Sequence, residues 1–536
     1  MDKIRKLFKI RGNVPDDGLE TEAEYSSRWL SIRIIYFTMF LMSLGFSVVL
    51  TGVWPFLDKL DPNAGKEFMG YVVASNPFGQ MLFSPLFGYW GNKIKSVRIP
   101  LFCSIAIFCV ASGIYSTLEY FPKETVKYWM LISRFLVGVG SANITLCRSY
   151  LSDSTRLAER TGAVSMVSLA QVLGFIVGPA LQAVVTPLGD KGLSILPGLN
   201  MYTAAGWINV FMAIGNFCLF LPIFFKEKSI AAKEIMKLQG KQTEKETWKG
   251  IKPDYFACWT LIIAFFVLVF NFVLLETIGT SLTMDQFAWT KSETLTYMGI
   301  LMSVGALIAI VTFAGMGPLC KVFEERSVLI WGGFLLMAIG RILYIPYGDQ
   351  YPQMAINSSI ISTNSNNSNL TLDGGSSVGD NSTLSFETVG CPLSQKWCLT
   401  TPALTMTQFL LGYFLTCVGY PIGVTLIQTI FSKMLGPRPQ GVWMGMITGS
   451  GCLSRIMGPV CVGYVYTRHG TYATFGFTTV MMVVALLWLL IFRDKLLVPE
   501  VGKRVDVEMD EIVEENVRLT NDGVNGSKKI EIIASK

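Results

Sequence analysis

The chain runs to 536 residues, 51% of them hydrophobic and only 15% charged, against about 25% charged in a typical soluble domain. Water is excluded as the solvent for most of it, and a lipid bilayer is the fitting one. The net charge of +6 does not point to nucleic acid, because the lysines and arginines are scattered over short loops and do not gather on one face among stacking aromatics.

Residues 1–29 are charged, with Lys3, Arg5, Lys6, Lys9 and Arg11, and no apolar stretch precedes Trp29. This reads as a polar tail and not a cleaved signal. Apolar runs follow at roughly 30–57, 68–90, 99–118, 128–150, 162–185 and 201–225, each able to cross about 30 Å of hydrocarbon at 1.5 Å per residue. Residues 226–255 then turn polar and carry Lys226, Lys228, Lys233, Lys237, Lys241, Lys245, Lys249 and Lys252. No useful apolar face runs through them, so they are predicted to form a loop. A second set of runs lies at roughly 256–282, 294–315, 327–347, 402–431, 441–464 and 471–492, before a polar tail over 494–536. The pattern predicts an all-α membrane protein of twelve transmembrane helices, in two six-helix bundles over 30–225 and 256–493 joined by a linker.

Basic residues in the short loops set the orientation. Lys93, Lys95, Arg98, Arg156, Arg160, Lys321, Arg326, Lys433 and Arg438 fall on the side of the central lysines, against a thin scatter of Lys59, Lys66, Lys123 and Lys191 opposite. Both tails are therefore expected in the cytosol. The loop 348–401 then falls on the lumenal side, and its N-x-[ST] sequons at Asn357, Asn366, Asn369 and Asn381 are expected to carry glycans. Cys391 and Cys398 share that loop, and on the oxidising side they are predicted to pair. Sequons at Asn143, inside a span, and Asn525, in the tail, are expected to stay bare. Most other cysteines lie in apolar runs as small apolar side chains. With His469 the only histidine and no C-x-x-C pair, no metal or cofactor is expected. No hydrolase or transferase constellation appears; Gly445, Gly449 and Gly451 sit inside an apolar run with no phosphate-binding helix after them.

Several motifs stand out against this background. The loop after the second span holds Gly88, Asn92, Lys93 and Arg98, which is similar to the loop signature of the major facilitator superfamily, with Asn92 and Lys93 where that signature has Asp and Arg. It implies a cytosolic gate, though an ordinary basic loop reads the same way. Arg134, Gly138 and Gly140 match the superfamily's R-x-x-x-G-x-G pattern. An arginine in a span costs at least about 2.5 kcal/mol, so Arg134 is expected to face a cavity or an acid, or to snorkel. Arg148 lies at the cytosolic end of the same span. Leu173-Gly174-Phe175-Ile176-Val177-Gly178-Pro179 and Leu453-Ser454-Arg455-Ile456-Met457-Gly458-Pro459 occupy the fifth span of each half, as two parallel repeats would. Their glycines and prolines suit close packing and a bend. Glu276 is the clear acid inside a span. It either titrates in place or forms an ion pair with Arg455 or Arg341. The excess of cations within the spans points to an anionic permeant, and Asn76, Gln80, Gln171 and Asn271 offer neutral donors.

Three segments carry a narrower resemblance: Ser27-Arg28-Trp29-Leu30-Ser31-Ile32-Arg33; Leu275-Glu276-Thr277 with Leu282-Thr283-Met284-Asp285 and Ala288-Trp289-Thr290; and Leu435-Gly436-Pro437-Arg438-Pro439-Gln440-Gly441. They resemble the lysosomal family of major facilitator superfamily domain-containing protein 8, also called ceroid-lipofuscinosis neuronal protein 7. The resemblance spans most of 22–495 and implies an endolysosomal membrane protein with chloride permeation. Arg134, Arg148, Glu276 and Arg455 fall in matching motifs. The expectation is a transporter or channel for a small anion, chloride above all, with Arg134 and Arg455 setting the electrostatics of the path, Glu276 gating or taking protons, and Arg148 either on the same path or a plain anchor at its cytosolic end. A proton-coupled carrier of an organic solute and a scaffold without transport are the alternatives; lipid, a small anion or solute, and protons are the expected partners.

Overall fold

The computed structural model describes residues 19–50, 52–62, 64–189, 192, 198–238, 253–354, 390–392, 395–436 and 438–497. The chain within them is helical. Six long helices form the first half: α1 (Glu22–Leu50), α2 (Gly65–Ile94), α3 (Arg98–Ser116), α4 (Val126–Ser154), α5 (Leu157–Val185) and α6 (Thr203–Leu219). In the second half come α7 (Tyr255–Phe287), α8 (Lys291–Val322), α9 (Glu325–Leu343) and α10 (Met406–Leu435). The last stretch, Gly441–Ile491, divides at Gly470 into α11 (441–469) and α12 (471–491). Gly470 turns at φ 78°, and a Cβ there would collide with the ring of Trp397.

Lipid solvates no free backbone polar groups, so each span must satisfy its own ladder and cap its ends where they meet water. Asp254 accepts the N–H groups of Phe256 and Ala257 at the start of α7. Capping boxes of Thr290 with Glu293 and of Thr405 with Gln408 open α8 and α10. These signals move three starts away from the hydropathy estimate. The largest such difference is at α1, which begins eight residues before the predicted 30 and stops at Leu50. A separate short helix, Val53–Leu60, follows, with Val53, Phe56 and Leu57 buried. The early start is held by charge. Arg28, 1% exposed, donates to Glu20 at 2.6 Å, Glu159 at 2.9 Å and the Ser154 carbonyl at 2.9 Å. Arg156 reaches the same Glu20 at 2.8 Å.

Each half has its own apolar core. One centres on Ile35, Met39, Ile105 and Val167, the other on Leu268, Phe334, Ile427 and Ile447. The fifth helix of each half crosses the first. Gly174 and Gly178 of α5 lie against the backbone of α1 at Phe40, Leu44 and Val48, and Gly458 of α11 lies beside Val273 of α7. Pro179 and Pro459 follow these glycines inside their helices. At the end away from the basic loops, Cys391 and Cys398 form a disulfide. Asn357, Asn366, Asn369, Asn381 and Asn525 lie outside the described residues; Asn143 is fully buried in α4.

The linker departs from its reading as a loop. Its first residues bind the first half, and Ala231–Leu238 is a helix with Ile230, Ala231 and Ile235 buried. Glu227 accepts the N–H groups of Val97 and Arg98 at 2.9 and 2.7 Å, capping α3. Ile230 N–H donates to the Asp153 carbonyl, and Glu234 accepts Leu157 N–H at 3.0 Å. A single apolar turn was too short to register as a face in so polar a stretch. Burial pushes the Glu234 carboxyl above the ordinary carboxylate range. A pKa raised on docking means the docked state holds the proton more tightly. Docking is therefore strongest in acid and weakens as pH rises through the shifted value. Hydrogen exchange over 229–238 should quicken more with pH than intrinsic exchange does, and Glu234→Gln should abolish the excess.

Candidate permeation seam

The halves meet most closely at the end that carries the basic loops. A Cβ built on Gly88 of α2 would stand 2.1 Å from the Gly441 carbonyl oxygen of α11, so only glycine permits this crossing. Asn92, one turn further, accepts Gly441 N–H at 3.0 Å and donates to the Pro439 carbonyl at 3.4 Å. Arg160 of α5 donates to the Ser432 carbonyl at 3.3 Å across the seam and to the Ser152 carbonyl at 2.8 Å, joining the C-terminal turns of α10 and α4. The Ser432 hydroxyl meets that of Ser152 at 2.7 Å. Thr161 contacts Glu325, which also takes Lys433 at 2.7 Å, and Ser165 contacts the Phe313 carbonyl. The predicted gate cluster therefore divides. Gly88 and Asn92 lie on the seam, whereas Lys93 is exposed and Arg98 turns inward to the Phe225 carbonyl at 2.7 Å.

Deeper in, the seam is cationic. Arg148 of α4 donates to the Thr448 hydroxyl of α11 at 3.1 Å and approaches Gln171 of α5 at 3.5 Å. Arg455 of α11 lies near enough to act on its charge, as do Cys452 and Tyr420. Arg455 stands over the Phe175 ring of α5 at 5.9 Å. Tyr420 of α10 neighbours Arg455, Glu276 and Arg148, and its ring stacks on Phe272 of α7 at 3.8 Å. Arg134 shares a face of α4 with Arg148, fourteen residues or about 21 Å away. It is 2% exposed and faces the Phe46 ring of α1 at 5.6 Å. Among the described residues, Arg134, Arg148 and Arg455 form no ion pair with a carboxylate.

Glu276 is exposed and pairs with neither Arg455 nor Arg341, so neither ion pair offered by the sequence forms. Arg341, fully buried, instead donates to the Asn271 carbonyl at 2.7 Å. The buried acid of α7 is Asp285, which accepts the Tyr466 hydroxyl at 2.8 Å. It lies three residues past the predicted end of that span, within a segment that carries the family resemblance. Of the neutral groups, Gln171 reaches the cations. Gln80 donates to the Ser141 carbonyl, Asn271 Nδ2 donates to the Val267 carbonyl, and the Asn76 amide nitrogen is buried without a partner. Sequence reasoning missed Thr448, Phe175, Phe46 and Tyr420. A phenylalanine or tyrosine inside an apolar run carries no sign of whether it faces lipid or a cleft.

Two six-helix halves, closed at one end below a partly exposed polar seam, define a multi-pass membrane transporter. Residues 35–376 and 388–518 match the model of the Major Facilitator Superfamily. Over 480 residues the chain is 39% identical to Major facilitator superfamily domain-containing protein 8 of Xenopus laevis, covering 88% of this chain and 92% of that one. The chain belongs to the major facilitator superfamily and, within it, to the family of that relative. Among solved structures, the proton:xylose symporter XylE shares the fold at TM-score 0.61 and 12% identity, over 87% of this chain and 96% of its own. The human organic anion transporter MFSD10 (TETRAN) does so at TM-score 0.57 and 16% identity, over 86% and 99%.

Proposed function

We propose that this chain moves a small anion across the endolysosomal membrane, chloride being the permeant its family implies, with both tails in the cytosol and the sequons of 348–401 glycosylated in the lumen. One observation carries the reading: Arg148 of the first half bonds Thr448 of α11 and Gln171 of α5, while Arg455, two turns along α11 from Thr448, stands over Phe175, one turn along α5 from Gln171, and neither cation pairs with a carboxylate among the described residues. Two guanidinium groups so placed repel unless an anion joins them. Arg134 extends the positive field along α4, Gly88 and Asn92 hold the cytosolic end shut, and the glycine–proline pairs Gly178-Pro179 and Gly458-Pro459 let the fifth helices bend as the halves rock.

A second reading, proton-coupled movement of an organic solute, draws on Glu276, an exposed acid one turn from Phe272 and close to Tyr420. Full-length protein in liposomes, with chloride on one side and gluconate on the other, separates the two. Chloride flux well above that of empty liposomes is expected, and flux equal to theirs would sink the anion reading. Rates indifferent to an imposed pH gradient, with and without Glu276→Gln, would remove the coupled one.

A further inference from the structure

The cations of the seam lie against aromatic rings and, among the described residues, pair with no acid, and the rings connect. Arg134 stands over Phe46 at 5.6 Å, Phe46 meets Phe175 edge-on at 5.8 Å, and Arg455 stands over Phe175 at 5.9 Å. On the far side Tyr420 stacks on Phe272 at 3.8 Å with 14° between the planes. The chain of contacts passes through α4, α1, α5 and α11, with α10 and α7 beyond, and so through both halves. Phe46, Phe175, Tyr420, Phe272 and Arg455 are each only partly buried.

A ring face steadies a guanidinium through its quadrupole without using an N–H donor, whereas a carboxylate would occupy those donors. Arg455 meets the Tyr420 hydroxyl, and its donors not so engaged are left for a ligand. The same quadrupole presents a negative face, which repels a bare halide and favours another ring in an offset stack. A wall built for chloride alone gains nothing from aromatic faces beside its cations. An anion whose charge meets the guanidinium groups while its ring slides against Tyr420 or Phe175 uses both.

We propose that this site takes aromatic carboxylates, with Arg148 and Arg455 holding the carboxylate and with Phe175 and Tyr420 selecting the ring. The inference rests on the anion reading above and adds the nature of the anion's body. The test uses full-length protein in liposomes with benzoate, cyclohexanecarboxylate, acetate and chloride. Benzoate should compete with chloride flux at a concentration about tenfold below that of cyclohexanecarboxylate or acetate, the scale of one or two aromatic contacts. Phe175→Leu and Tyr420→Leu should each lower the benzoate-to-chloride preference by about 3- to 10-fold, and Phe175→Tyr and Tyr420→Phe, which keep the ring, should restore it. Equal potency of benzoate and acetate while chloride still flows would overturn the inference and leave the anion reading standing. An unchanged preference in both leucine variants would likewise overturn it. Absence of flux for every anion would bring down both.

Discussion

Arg148→Gln is expected to cut anion flux by tenfold to about a hundredfold while raising the melting temperature of the purified protein by a few degrees. The two effects have one cause. Arg148, buried, and Arg455, partly exposed, are like charges within range of each other, so the empty site carries repulsion. An anion relieves that repulsion and takes hydrogen bonds to charged donors, worth about 1.5–3 kcal/mol each, and every 1.4 kcal/mol is a factor of ten in affinity. Glutamine retains a donor toward Thr448 and removes the charge, so the fold relaxes as the site fails. Arg148→Lys keeps the charge but lacks the planar fork that reaches Thr448 and Gln171 together; it should fall between. Flux from chloride-loaded liposomes and thermal unfolding in detergent check the pair. Flux that survives in Arg148→Gln would contradict the central role given to this cation.

Gly88→Val should force open the end that carries the basic loops. The added Cβ would lie 2.1 Å from the Gly441 carbonyl oxygen, a backbone atom that no rotamer change can move aside. Since Asn92 accepts from Gly441 and reaches Pro439 one turn away, separating α2 from α11 breaks those bonds too, and the contacts of Ser432 with Arg160 and Ser152, of Thr161 with Glu325 and of Ser165 with the Phe313 carbonyl are left to hold that end. Tilting a two-state equilibrium from 99:1 to 1:1 needs about 2.7 kcal/mol, within reach of one backbone clash together with two lost hydrogen bonds. Ser432, fully buried in this state, is a fitting reporter. In a background whose exposed cysteines have been replaced, Ser432→Cys should react with an impermeant maleimide at least about tenfold faster when Gly88→Val is present. A rate matching that of Gly88 would show that the crossing does not hold the seam.

Much of this was legible in residue order. Long apolar runs, a lysine-rich midpoint and the matching Gly-Pro segments of the fifth helices sufficed for a paired helical membrane protein, because a bilayer imposes length and hydrophobicity on each span independently of its neighbours. Less legible were short polar ends. The helical start at Glu22 depends on Arg28 finding Glu20 and Glu159, and the linker helix depends on Asp153 and Leu157 being near. Nothing local signals such partners.

The sequence by itself determined the solvent, the repeat and the presence of cations within apolar runs, since these follow from composition and spacing along one dimension, and it pointed to the family through the resemblance of its motifs. Only the tertiary structure decided that Arg148 and Arg455 come together while Arg341 is spent on the Asn271 carbonyl, that Glu276 stays free of both, and that Phe175 and Tyr420 flank the cations. The reason is rotational. A helix in lipid is apolar all round, so hydropathy fixes how deep a residue sits but not which way it faces, and the facing direction is settled only when the helices pack.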